Sequence, residues 1–192
     1  MAYSRKVAES AAKLGYKWIV VDELAFPGGR KPSPEILYKI RGLDLYVFFR
    51  ERNLSFSILS AQVGTVPTIL RYLGDHVSKN EYVVTAMDGE TFGHHRPGLE
   101  LLLFDLLAEE KLEPVQISDL IGKFKSTEEV EPRDSTWAAT KKNMKENEPY
   151  ARWKNKNNPI QLKQWELTNL AIDVANRLPD DRVARSLLDR SL

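Results

Sequence analysis

The sequence contains no cysteine. That excludes disulfides, thiolate metal centres and a cysteine nucleophile. It has only three histidines, so imidazole chemistry is confined to a few positions. No excess of charge of one sign exists: the formal net charge is +1 over 192 residues. A near-neutral chain gives no electrostatic case for nucleic acid or a membrane surface as partner. No apolar run approaches the roughly 20 residues of a membrane span. The first residues, Met-Ala-Tyr-Ser-Arg-Lys-Val-Ala-Glu, lack the apolar core of a secretory signal. No internal repeat or low-complexity tract is present. These absences fit a cytoplasmic globular protein.

What is there is a core-forming composition, 42% apolar and 29% charged, long enough for one domain. Residues 3–14 have helical spacing, with Val7, Ala8, Ala11 and Ala12 on one face and Gly15 as a stop. Tyr16–Val21 reads as a buried strand that delivers Asp22 and Glu23 at its end. A polar loop runs from Pro27 to about Pro34. Leu43–Phe49 is a second apolar strand, followed by Arg50-Glu51-Arg52. Helices are expected near 53–59, over 65–77 behind Thr65 and Pro67, and over 97–109. Tyr82–Met87 is the expected third strand. Pro114–Ile117 is the fourth, with a short helix over 117–124. Residues 125–160 are polar but hold Trp137, Tyr150 and Trp153, which argues for an ordered loop rather than disorder. Helices are expected again over 160–178 and 180–192.

Strands alternating with helices imply an α/β fold with parallel strands. The division expected is a β/α part over 1–124, then the aromatic-containing loop and terminal helices over 125–192, packed on it.

The densest chemistry lies at 82–95. An apolar strand runs into Asp88, Gly89, Glu90, Gly93, His94 and His95. Strand ends are where catalytic groups collect in parallel β/α proteins. Asp88 is the candidate general acid and base; the alternative is a carboxylate that caps the following turn. Glu90, His94 and His95 are candidates to bind a polar ligand, or else ordinary surface residues. Adjacent histidines diverge on a strand or helix, which argues against a shared metal for the pair. One histidine with Asp88 and Asp22 remains open as a metal set. Asp22 and Glu23 are each equally readable as a sugar-orienting carboxylate or as an ion-pair partner of Arg50 or Arg52. Trp137, Tyr150 and Trp153 suit stacking on sugar rings, or pinning the long loop to a core.

Val-Thr-Ala-Met-Asp-Gly-Glu-Thr-Phe-Gly-His-His at 84–95 resembles the fourth signature region of glycoside hydrolase family 57. Leu-Gly-Tyr-Lys-Trp-Ile-Val-Val-Asp-Glu at 14–23 is similar to the strand that follows that family's nucleophile region. Phe-Phe-Arg-Glu-Arg-Asn-Leu-Ser at 48–55 is similar to another of its recurring segments, as are Ser-Thr-Trp at 135–137, Trp153 with Asn157-Asn158, and Gln164-Trp165. The resemblance implies part of a (β/α)7 barrel and retaining cleavage or transfer of α-glucosidic bonds in α-glucans. It makes Asp88 the catalytic acid/base and leaves Glu90, His94, His95, Asp22 and Trp137 as sugar-binding candidates. It calls for no cofactor and no metal. The family's early His-Gln-Pro motif is absent here. Its nucleophile glutamate belongs to a Pro-Glu motif that aligns just ahead of Met1, and Pro34-Glu35 follows the wrong strand. The chain therefore reads as incomplete at both ends and inactive alone. A carbohydrate-binding remnant and a metal-dependent sugar ester or amide hydrolase are the alternative readings.

Overall fold

In the computed structural model, residues 2–191 are described. The chain divides into two compact units, residues 1–137 and 138–192.

In the first unit, β1 (Ala2–Tyr3) leads into α1 (Arg5–Lys13). The Ser4 hydroxyl accepts the Val7 N–H and so caps that helix. Strands β2 (Trp18–Asp22), β3 (Leu37–Ile40), β4 (Tyr46–Arg50) and β5 (Thr127–Val130) form one sheet in the order β2-β4-β3-β5. Strand β6 (Ser135–Thr136) pairs with β1 antiparallel. The α/β class is as expected. The pairing is not uniformly parallel. β2 and β4 are parallel, as are β3 and β5, but β3 and β4 are antiparallel. The reason is the short connection between Ile40 and Tyr46, where Ile40 N–H donates to Leu45 O and Gly42 takes a φ of +70°. So short a link permits only a hairpin. Among the described residues no sheet closes on itself.

Alternation along these strands fills two faces of the sheet. Val21, Tyr38, Ile40, Val47 and Phe49 pack with Phe26 and with Ala8 of α1. Phe26, Tyr38 and Phe49 meet edge to face, with centroids 5.2–5.7 Å apart. Leu37 and Phe48 point to the other face and meet Val84, Leu120 and Phe124. A third cluster joins α2 (Arg52–Leu59), α3 (Val66–Leu73) and α4 (Glu100–Ala108) through Leu54, Ile58, Ile69, Leu99 and Leu102.

Two expected strands are not strands. Residues 82–87 are extended, but only one backbone bond, Glu51 N–H to Val84 O at 2.7 Å, ties them to the end of β4. Side chains take the neighbouring positions, so no ladder propagates. Residues 114–116 are irregular and exposed, and α5 (Ile117–Lys123) follows at once. Pro114 has no N–H to offer a sheet. Conversely, the stretch expected to be a loop from 125 contains β5 and β6.

The second unit holds α6 (Lys141–Lys145), α7 (Pro159–Arg177) and α8 (Arg182–Ser191). Asn158 caps α7 through its Oδ1, with Pro159 at the first helical position. Trp165 Nε1 donates to Trp153 O at 2.8 Å, and Gln161 Nε2 to Arg152 O at 2.8 Å. These bonds hold the preceding loop on α7. Leu192, within the helix expected over 180–192, lies outside the described residues.

Truncating Phe49 to alanine removes one member of the aromatic trio and leaves a cavity. Chemical denaturation should show a loss of about 3–5 kcal/mol.

Candidate functional site

Asp22 ends β2 and is fully buried. Its Oδ1 accepts the Leu24 N–H at 3.1 Å. Its Oδ2 accepts Arg50 Nε at 2.9 Å, Arg50 Nη2 at 2.8 Å and Arg52 Nη1 at 2.7 Å. The same guanidinium groups reach the Trp137 carbonyl, from Arg50 Nη2 at 3.1 Å and Arg52 Nη1 at 3.3 Å. Both lie over the Phe56 ring. Asp22 and Trp137, two of the sugar-binding candidates, are thus brought together, with the arginines between them.

Arg50 also holds the segment that leads to Asp88, the acid/base candidate. Its Nη1 donates to Ala86 O at 2.8 Å, two residues before Asp88. Ala86 N–H donates to Ser55 Oγ at 3.2 Å, and Ser55 Oγ donates to Glu51 O. At the other end of the segment, Tyr82 N–H donates to Pro34 O and its hydroxyl to Ile36 O. Residues 82–87 are therefore a strap, pinned at both ends.

Asp88 opens a one-turn 3-10 helix, Gly89–Thr91. Its carbonyl accepts the Thr91 N–H, but its carboxylate does not cap the turn. Among the described residues the Asp88 carboxylate has no hydrogen-bond or ion-pair partner, and it is exposed. Glu90, His94 and His95 gather just beyond it. His95 N–H donates to Glu90 O at 2.7 Å, and His95 Nε2 lies 3.3 Å from Glu90 Oε2. The His94 and His95 rings stack, 4.9 Å between centroids and 21° between planes. Gly93, at φ +95°, makes the turn that faces them together. A Cβ there would stand 3.4 Å from the Glu100 carboxylate.

The partner of Glu23 went unread in the sequence. Glu23 follows Asp22 and is half-buried beside Lys31, whose Nζ lies 3.8 Å from Glu23 and 3.4 Å from Glu51. Tyr72 donates its hydroxyl to Glu51 Oε1 at 3.1 Å. Burial pushes the Glu23 carboxyl above its ordinary range; Lys31 opposes this, while Glu51 and Asp22 add to it. Tyr72 is pushed up to about 12, by burial first and then by Glu51. Glu23 and Glu51 both follow apolar strands and carried a signal. Lys31 and Tyr72 come from a loop and a helix, and their sequence surroundings carried none.

A family description, Glycosyl hydrolase family 57, matches residues 1–133, which include the strand ends, the strap and Asp88. The chain belongs to glycosyl hydrolase family 57. No curated protein and no solved structure gives a significant match. Membership carries glycoside hydrolase-like function at the level of the family, and with it a carbohydrate ligand.

Arg50→Ala strands a buried carboxylate and releases the strap. It should cost about 3–5 kcal/mol, and Asp22→Ala with Arg50→Ala should cost less than the two singles summed. Unfolding of all three variants in urea checks this.

Glu23 gives a pH test. The folded chain holds the Glu23 proton to higher pH than the unfolded chain. Ionisation therefore costs stability as pH rises above the unfolded value of about 4.3. Glu23→Gln should melt higher than the parent at neutral pH, the gap closing below about pH 4.

Proposed function

We propose that this chain supplies the acid/base half of a retaining site that cleaves or transfers α-glucosidic bonds in α-glucans. The reading is carried by one observation. The Asp88 carboxylate stands exposed and unbonded at the end of a strap that Arg50 and Ser55 hold in place. Family membership over residues 1–133 supplies the reaction class.

A retaining site needs two carboxyls about 5–5.5 Å apart. One attacks the anomeric carbon. The other protonates the departing oxygen and then takes a proton from water. Asp88 has the second role. Its freedom from internal bonds suits a group that must hand a proton over and recover it. Glu90, His94 and His95 follow within the same loop and offer one acid and two imidazoles to sugar hydroxyls. Asp22 contributes through the arginine cluster, which sets the strap, and Trp137 joins that cluster by its carbonyl. In this reading the second carboxyl is the glutamate of the family's Pro-Glu motif.

The metal-dependent ester or amide alternative needs Asp22 as a ligand. Both Asp22 oxygens are already engaged, by Leu24 N–H and by three guanidinium bonds. Freeing them would take the carboxylate from the buried Arg50 guanidinium. A binding remnant without chemistry uses the same surface and is separated by the test below.

The test joins this sequence to a family segment that carries the Pro-Glu motif, and measures α-glucan cleavage. Asp88→Asn in that protein should lower kcat by at least about 10³-fold, with little change in Tm. Azide should restore turnover on an aryl α-glucoside with a good leaving group, because a small anion needs no base to attack the glycosyl intermediate. Near-normal turnover of the variant would remove Asp88 from the acid/base role. Binding with no turnover in the joined parent would favour the remnant.

A further inference from the structure

We propose that Glu90, His94 and His95 form a three-ligand site for a divalent transition-metal ion of the zinc class. One carboxylate oxygen and two imidazole nitrogens lie within 4.8 Å of one another. In a tetrahedral zinc site with bonds of about 2.0–2.1 Å, ligand atoms stand about 3.3 Å apart. His95 Nε2 and Glu90 Oε2 are already at 3.3 Å. All three side chains are exposed, so rotation about their own bonds toward an ion disturbs no core packing.

The backbone explains why neighbouring histidines converge here. On a strand or a regular helix their rings would diverge. Gly93 at φ +95° and the His95 N–H bond to Glu90 O fold residues 90–95 into a tight turn instead. The two rings then stack at 4.9 Å beside the carboxylate. The nearest cation in sequence, Arg96, donates to Leu59 O at 3.3 Å and is occupied there. Two nitrogens and one oxygen favour zinc, copper or nickel over magnesium and calcium, which prefer oxygen alone. Three protein ligands leave a fourth position for water.

This site stands on geometry alone and is independent of the glucan reading. Where both hold, an ion and a sugar compete for the same side chains.

The experiment titrates the full, metal-stripped chain with Zn²⁺ by calorimetry, with elemental analysis after dialysis. Mg²⁺ is the selectivity control. The expected result is one zinc per chain, lost in His94→Ala, His95→Ala and Glu90→Gln and retained in His76→Ala. His76 is the remaining histidine of the chain and is paired with Glu81. Co²⁺ should show a ligand-field band in the parent that the first three variants lose. Circular dichroism should be the same for all, since the substituted side chains are exposed. Absence of stoichiometric zinc, or binding that survives His94→Ala and His95→Ala, would overturn the proposal.

Discussion

The buried contact between Asp22 and the guanidinium groups of Arg50 and Arg52 is the constraint on which the site depends. A carboxylate with no solvent contact is costly unless every lone pair is used. Asp22 meets that condition with four donors: one backbone N–H and three guanidinium N–H groups. A hydrophobic pair of similar volume would be as stable, or more so. What it would not provide is direction. Arg50 has a planar fork, and its remaining N–H groups are aimed at fixed points. Two of those points are the carbonyls of Ala86 and Trp137. The ends of β2 and β4, the strap and the segment after β6 are therefore held by one guanidinium.

That arrangement explains why residues 82–87 do not join the sheet. A parallel strand would satisfy its backbone by ladder bonds to β4. Here β4 has ended, and its last residue contributes a side chain instead. Val84 O receives a backbone bond from Glu51, Ala86 N–H goes to Ser55 Oγ, and Ala86 O goes to Arg50. The period of two survives, with Val84 buried while Val83 and Thr85 are exposed. The strap is thus a strand by shape and a loop by bonding. It can present Asp88 at its end without a sheet neighbour on either side.

Most helices were legible because their cues are local: the Val7, Ala8, Ala11 and Ala12 face with Gly15 at α1, and Thr65 with Pro67 at α3. β2 and β4 were legible as β-branched and aromatic runs. β3 was not, because Leu-Tyr-Lys-Ile is short and its burial comes from Phe26 and Phe49, which are distant in sequence. The family likeness was legible at 84–95, and with it Asp88. Asp22 with Arg50 was readable only as one of two alternatives, because the spacing of 28 residues fixes no contact. The convergence of His94 and His95 was the opposite of what spacing suggests, because one glycine at positive φ changes where both rings point. Local rules assume a regular backbone, and they fail where a turn replaces it.

The loop from Asp88 to His95 therefore combines two kinds of order. Its entry is fixed by part-buried bonds to Arg50 and Ser55. Its side chains are held lightly, by an exposed Glu90–His95 contact and a ring stack. Exposed pairs of this kind contribute little to stability, typically 0–1 kcal/mol. Their rearrangement around a ligand costs correspondingly little. Burial and a neighbouring carboxylate are what tune a catalytic acid. Rigid entry with adaptable side chains suits a binding loop: the strap fixes where Asp88 stands, and the exposed side chains beyond it are able to rearrange.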